Sequence, residues 1–451
     1  LCGVTWGLFP SLQAAWLISS EKWFNVKGID YLKLTGGYEM SGNDNIDYYA
    51  TRTYFSNFQF LDKATGLVLA NIKNPKLQWE TTKRFNIGLQ ASLLNNRVNL
   101  GLEYFNSKTD NLLTRKSVSD VTGLSTMWSN DGALSNKGVD FNINAMLIQH
   151  KDWRWQAGFS IGHYKNEITS LPTSNLNTIR TYALNEDGSR GAETQMHGYT
   201  SSIYGSNNVL TAVGKAAGLF YGYKTAGVFA TDAEAASAGK YGYLRYPTGL
   251  SEQPSRDFRA GDVHFVDQNG DGWINEADMV VIGDPNPDIY GNIFTSLSWK
   301  SLKLDVNFKY SLGNDVFNYQ RSQLESLNTN WNQTTAAVNR WRYEGQQTDM
   351  PRAMYTTSDQ WVNNERFSDR WIEDGSYLKL KNIRLTYKIP VNLSWLLGLS
   401  VWGECNNVFT ISKYTGNDPE FSAGNGVLYQ GIDAGYLPQS RNFTLGVTIN
   451  L

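Results

Sequence analysis

Cysteine is nearly absent from the 451 residues. Cys2 and Cys405 stand far apart, which leaves no disulfide framework and no CxxC metal pair. Histidine is almost as rare: four residues are scattered along the chain, a poor basis for a zinc site built on imidazole. Charge of either sign is sparse. Asp, Glu, Lys and Arg make up 18% of residues and nearly cancel, at a formal net charge of −2. That balance marks no nucleic-acid surface. No apolar run approaches the ~20 residues of a membrane helix. The opening segment LCGVTWGLFP has neither the charged leader nor the apolar core of a signal peptide, and without an initiator Met it reads as the edge of a fragment. GxSxG, HExxH and GxxxxGK[ST] signatures are missing. Glu373–Asp374 and Glu186–Asp187 are adjacent residues, and strand neighbours point to opposite faces, so neither makes an acid–base pair. No enzyme is expected.

What the chain does hold is aromatic and polar. Tyr, Phe and Trp reach 13%, Gly numbers 41, and mean hydropathy is −0.42. The length suits two or three ordinary domains or one large all-β body. Alternation of apolar and polar residues dominates, and helical periodicity is scarce. In LKLDVNFKY (302–310), Leu302, Leu304, Val306, Phe308 and Tyr310 share one face, and Lys303, Asp305, Asn307 and Lys309 the other. About eleven such strands are expected, at 6–18, 30–41, 80–91, 97–108, 136–148, 153–165, 289–299, 302–312, 376–388, 398–411 and 440–451, with a bulge near Asn382. Short and long connections take turns between them. The long ones are 42–79, 109–135, 166–288, 313–374 and 412–439.

A soluble sandwich would alternate too, so the connections decide. Strands of ~10 residues with short turns at one end and long loops at the other describe an outer-membrane barrel. Trp6, Trp16, Trp79, Tyr104, Trp153, Trp299, Tyr310 and Tyr387 fall near strand ends, where an interfacial girdle sits. In lipid only a closed barrel satisfies every strand hydrogen bond, so the polar face lines a lumen. Single-chain barrels usually have an even strand count. An odd count of polar-faced strands, ending on the short-turn side, predicts part of a barrel whose missing strands are N-terminal.

Several segments, in order, resemble one family, the SusC/RagA-like TonB-dependent transporters of the Bacteroidetes outer membrane. They are GLFPSLQAAWLISSEKWF (7–24), NPKLQWETTKRFNIGL (74–89), EYFNSKTDNLL (103–113), NKGVDFNI (136–143), GLFYGYKTAGVFATDAEA (218–235), the block from Gly261 to Asn292, WIEDGSYLKLKNIRLTYKIP (371–390) and NNVFTISKYTGNDPE (406–420). The resemblance implies an all-β fold, the C-terminal half of a 22-stranded transmembrane antiparallel β-barrel. The family's plug and TonB-box segment have no counterpart in these residues. It also implies a SusD-like surface lipoprotein as partner, coupling to TonB–ExbB–ExbD through the missing N-terminal part, a dimer of transporter–lipoprotein pairs, and import of oligomeric nutrients. Glycans are the commoner cargo and oligopeptides the rival. A binding or adhesion protein anchored by its barrel is the alternative from another class. One departure is Leu451, where such barrels commonly end on an aromatic residue.

One stretch carries metal chemistry. In VDQNGDGWINEAD, Asp267, Asn269, Asp271, Gly272, Asn275 and Asp278 fall at positions 1, 3, 5, 6, 9 and 12 of a calcium loop, with the Trp273 carbonyl at position 7. Hard oxygen donors in that spacing suit Ca²⁺, and the short Asp278 in place of Glu leaves Mg²⁺ open. An Asx-rich turn without metal is the bland alternative. The segment before it alternates like a strand, and Gly283, Pro285 and Pro287 stop any helix after it, so this is no paired EF-hand sensor. Lying within the 166–288 loop, on the long-loop, extracellular side, the motif is expected to staple a loop that lacks a core of its own. Loop aromatics Trp128, Tyr221, Tyr223, Trp331, Trp341 and Trp361 are candidates to stack on sugars or pack a peptide, although such residues more often pack loops together.

Overall fold

The computed structural model describes residues 6–450 apart from 62, 174–176, 185–189, 205, 239–244, 247–255, 356–361, 392–394 and 422–425. Cys2, Leu451 and the Glu186–Asp187 pair therefore lie outside the described residues.

Alternation becomes one antiparallel sheet of eleven strands. These are β1 (Ser11–Leu17), β2 (Ile29–Asn43), β3 (Glu80–Leu93), β4 (Val98–Ser117), β5 (Thr126–Gln149), β6 (Trp153–Ser170), β7 (Ile289–Trp299), β8 (Leu302–Leu312), β9 (Tyr377–Ile389), β10 (Gly398–Ser412) and β11 (Asn442–Asn450). Each pairs only with its sequence neighbours, so spatial order equals chain order. Short and long connections consequently collect on opposite rims.

Period-2 geometry sorts the two faces. Across the strands one register row reads Trp16, Leu34, Leu89, Leu102, Phe141, Ile161, Gly291, Tyr310, Leu378 and Ile411. Nearer the short-turn rim another runs Trp153, Trp299, Leu302, Tyr387, Val401 and Val447, all exposed. Trp153 and Trp299 stack there at 5.8 Å. At Gly291 a Cβ would come 1.9 Å from the Ser160 carbonyl oxygen; the Tyr310 ring lies over the gap instead and donates its hydroxyl to that oxygen at 2.9 Å. The opposite face is polar and cross-linked. Arg84 sits 3.3 Å from Glu103 and 3.9 Å from Glu39, Gln156 donates to Asn144 at 2.7 Å, and Ser296 to Asp305 at 2.7 Å. The expected bulge is at Lys381, which the register skips between Asn382 and Leu380.

Two expectations need correction. The 109–135 connection is mostly strand: β4 and β5 run 20 and 24 residues and pair beyond the apolar rows, through two register shifts, as far as Ser117 and Thr126. Polar residues occupy both faces in that stretch, so alternation was lost while pairing continued. The 166–288 loop also does not lack a core. Its strands Asn177–Leu184, Arg190–Ile203, Ser206–Ala212, Leu219–Gly222 and Val280–Gly283 form a five-stranded sheet. Thr225–Val228 pairs with Val263–Phe265 as a separate two-stranded sheet. Asp315–Asn318 then joins Ile372–Asp374 on one side and Ile432–Asp433 on the other, tying further connections together. Buried clusters fill this cap: Phe229, Phe258, Val263, Phe265, Ile274 and Val362 in one, and Val209, Phe220, Phe317, Phe367, Trp371 and Ile432 in another.

Candidate functional site

The calcium-like turn lies between the strand Val263–Phe265 and the single 3-10 turn Glu276–Asp278, as the sequence pattern predicts. Gly270 and Gly272 take φ of +70° and +81°, conformations open to glycine at no steric cost. Asp267 is the hub: its Oδ1 accepts from Gly270 N at 2.6 Å and its Oδ2 from Gly272 N at 2.8 Å. Asn269 Oδ1 accepts from Asp271 N, and Asp271 Oδ1 from Trp273 N, each at 2.8 Å. Asn275 caps the last turn by accepting from Ala277 N. Asp278 closes the circuit, Oδ1 accepting from Gln268 N and Oδ2 from Asn275 N, each at 2.9 Å. Asp278 is fully buried, and burial, with the Asp267 carboxylate adding to it, pushes its carboxyl up to about 7. A carboxylate has about four lone-pair sites, so oxygens engaged this way keep some for a cation. Among the described residues, no three His, Cys, Asp or Glu side chains already converge as a preformed metal cluster.

The aromatic candidates are not gathered into one place. Trp128 is half-buried beneath the Arg115 guanidinium, 4.8 Å from its ring, and lines a cavity of about 160 Å³ with Asp47 and Tyr54. Tyr221 is buried and lines a larger cavity of about 360 Å³ against Glu276 and Ala277 of the calcium-like turn. Burial pushes its phenol up to about 12 against the opposing effect of the neighbouring Thr181 hydroxyl, and its own hydroxyl makes no hydrogen bond of good geometry. Tyr223 is committed to packing, edge-on to Phe265 at 5.7 Å. Trp341 is a clasp, covering Gly261 and donating to the Ala230 carbonyl at 3.2 Å. Trp331 is exposed, and Trp361 lies outside the described residues.

Ion pairs that sequence reading missed hold the cap. Asp262, fully buried, accepts from Arg352 Nε at 2.7 Å, from Arg352 Nη2 at 2.9 Å and from the Asn364 amide at 3.1 Å. Lys379 of β9, 2% exposed, reaches Asp418 at 3.1 Å and Glu420 at 2.9 Å. Lys309 and Lys381 also bond Glu420. Burial alone would raise Glu420, but these three ammonium groups hold it down to about 2. Among the described residues Glu365 has only the Asn328 amide as a side-chain donor, and burial pushes it up to about 7. These partners lie tens of residues apart; no local spacing signals them.

An edge-ordered sheet with an apolar outer face, an aromatic row at the short-turn rim, a polar inner face and loops on the other rim is the architecture of an outer-membrane β-barrel. No helix of the described residues is long and apolar enough to cross a membrane. Similarity to known proteins points the same way. The chain is 30% identical over 456 residues to the TonB-dependent receptor P3 of Formosa agariphila, matching 98% of this chain and 42% of that protein. To the TonB-dependent receptor SusC of Bacteroides thetaiotaomicron it is 28% identical, over 98% of this chain and 40% of that one. The solved structure of the RagAB peptide transporter superposes with a TM-score of 0.72 at 22% identity, covering 98% of this chain and 43% of that one, which shows the shared fold. No family model matches. Over nearly its whole length the chain is similar to TonB-dependent receptors, SusC among them, and it spans less than half the length of these relatives.

Proposed function

We propose that this chain is the C-terminal half of a 22-stranded barrel that actively imports oligomeric nutrients, oligosaccharides in the first reading, across the outer membrane. The observation that carries it is the one-sided cap. Long connections from one rim fold together around their own buried clusters, which makes a structured surface where cargo and a SusD-like lipoprotein can be held. In this reading the cap is extracellular and the short turns are periplasmic, as in bacterial barrels generally. Energy comes from TonB–ExbB–ExbD through the N-terminal part, and two transporter–lipoprotein pairs form a dimer. Deleting the gene and measuring TonB-dependent uptake of labelled oligosaccharides tests it; uptake unchanged by the deletion overturns it. The solved neighbour is named a peptide transporter, so oligopeptide import is the second reading, and labelled peptides in the same assay separate the two. Adhesion without transport would leave both uptakes unaffected.

The Asp267–Asp278 turn is proposed to bind Ca²⁺ as a structural clasp. Asp267, Asn269, Asp271, Asn275 and Asp278 would supply side-chain oxygens and Trp273 its carbonyl; Mg²⁺ is the smaller competitor. Two neighbouring carboxylates, one fully buried, are the support. Extracellular sites of this type bind at ~10⁻⁴–10⁻³ M. Terbium luminescence sensitised by Trp273 should titrate in wild type and vanish in Asp267→Ala; no signal at millimolar metal would sink the idea.

A further inference from the structure

The five-stranded cap sheet curls until its first and last strands meet. Thr181, on the first, donates its hydroxyl to the carbonyl of Met279, just before the last, at 3.0 Å. Small curled or closed sheets leave a ligand-sized space at the mouth. Here that space is the cavity of about 360 Å³, bounded by Asn177, Thr178, Tyr199, Thr200, Tyr221 and Glu276. Its size is at the low end of small-molecule sites, about 300–1,000 Å³, which suits one unit of a chain rather than a whole oligomer.

Tyr221 supplies the independent sign of a ligand. It is 3% exposed, its hydroxyl lacks a partner, and the cavity is the open space beside it. The Thr181 hydroxyl, which donates to Met279, lies close enough to act on the phenol but makes no hydrogen bond of good geometry with it. Buried hydroxyls without partners are rare because desolvation goes uncompensated, so a group in the cavity that accepts from or donates to this phenol is the natural complement.

We propose that this cavity is a subsite for a single neutral sugar unit of an oligosaccharide, with the Tyr221 hydroxyl as its buried recognition group. The ligand class rests on the oligosaccharide reading above; the cavity and the unpartnered phenol do not. Chemistry favours a neutral polyol. The walls offer hydroxyls, an amide and the Glu276 carboxylate, and Arg180, the one cation among the lining residues, sits 3.7 Å from Glu193, so the lining disfavours an anionic ligand. Extended peptides typically pair with a strand's backbone edge, whereas the groups here are side chains.

The test uses the full-length receptor in detergent micelles and saturation-transfer NMR with short malto-, xylo- and laminari-oligosaccharides, beside a set of uncharged short peptides. At least one saccharide should bind. Tyr221→Phe should weaken it about tenfold, the loss of one hydrogen bond to a buried group. Thr200→Trp, which fills the cavity, should abolish that contribution as well. Ligand-free melting of Tyr221→Phe should not fall, since only an unpaired hydroxyl is lost; this separates binding from folding. Saccharide affinity unchanged in both variants overturns the subsite, while uptake in cells leaves the import reading standing. Peptides that bind through Tyr221, with saccharides inert, overturn the sugar class. Tyr221-dependent saccharide binding without any uptake supports the subsite and sinks the import reading instead.

Discussion

The eleven-stranded wall and the loop-built cap obey opposite rules. Of the largest fully buried side chains among the described residues, Trp371, Phe220, Phe258, Phe265, Leu77, Leu210, Ile274, Ile432, Val209 and Val263 all belong to connections; the wall contributes Lys379 alone. In the wall, large apolar residues are exposed instead, from Phe85 and Ile87 on β3 to Phe443, Leu445, Val447 and Ile449 on β11. Lipid replaces a core on one face, and the backbone ladder supplies cohesion. The cap faces water and must bury apolar surface in the ordinary way. One chain therefore carries a water-soluble fold grafted onto a membrane fold, and side-chain damage should act differently in each.

The largest effect is expected at Asp262. Asp262→Ala strands Arg352 in a desolvated site, and breaking a buried pair from one side costs about 3–5 kcal/mol. Limited proteolysis should cut the 225–265 region readily while the heat-modifiable gel shift of the barrel persists. Loss of both together would break the distinction between wall and cap. Truncating the core comes next: Phe265→Ala should cost the cap about 3–5 kcal/mol, whereas Leu445→Ala on β11 should cost far less, because lipid fills the space. Chemical denaturation read by near-UV circular dichroism compares them. The wall has its own weakness. Val306→Arg places a charge on the lipid face of β8, at about 2–4 kcal/mol near the midplane. Asn307→Arg, one residue on and facing the lumen, should be tolerated. Equal losses of folded barrel from both in lipid refolding assays would reverse the assignment of faces.

The smallest effect is a pH slope. Glu365 titrates near 7 when folded, above the 4.5 of a free carboxyl. Between those values the folded cap holds a proton that the unfolded chain has released. Its contribution is full below about 4.5 and is lost as pH rises through about 7. The melting difference between Glu365→Gln and wild type should therefore favour the variant more at pH 8 than at pH 5. An invariant difference would show that the Asn328 amide alone satisfies this carboxylate.

The same contrast explains what could be read in the residues. Each strand of the wall obeys a local rule, so LKLDVNFKY reveals both its faces and its length, and neighbours pair in chain order. The slip at Lys381 was visible because one residue out of phase reverses every side chain after it. The metal-like turn was legible for a related reason: its hydrogen bonds span two to ten residues. The cap was not. Asp262 meets Arg352 across 90 residues, and Lys379 meets Glu420 and Asp418 from another connection. Tyr221 looked no different from Tyr223, yet one lines a cavity and the other packs on Phe265. Position in a non-local sheet decides between them.

The apolar stripe from Leu302 to Tyr310 also acts as a ruler. Eight steps of about 3.4 Å make about 27 Å along the strand, and a tilt of ~40° reduces this to roughly 21 Å of height. A typical hydrocarbon layer is ~30 Å thick, and bacterial outer membranes are thinner than average. The stacked Trp153 and Trp299 fix one end of the scale at the interface. This wall therefore prescribes the membrane it can occupy: in thicker bilayers, acyl chains must compress around it, and reconstitution yield should track lipid length.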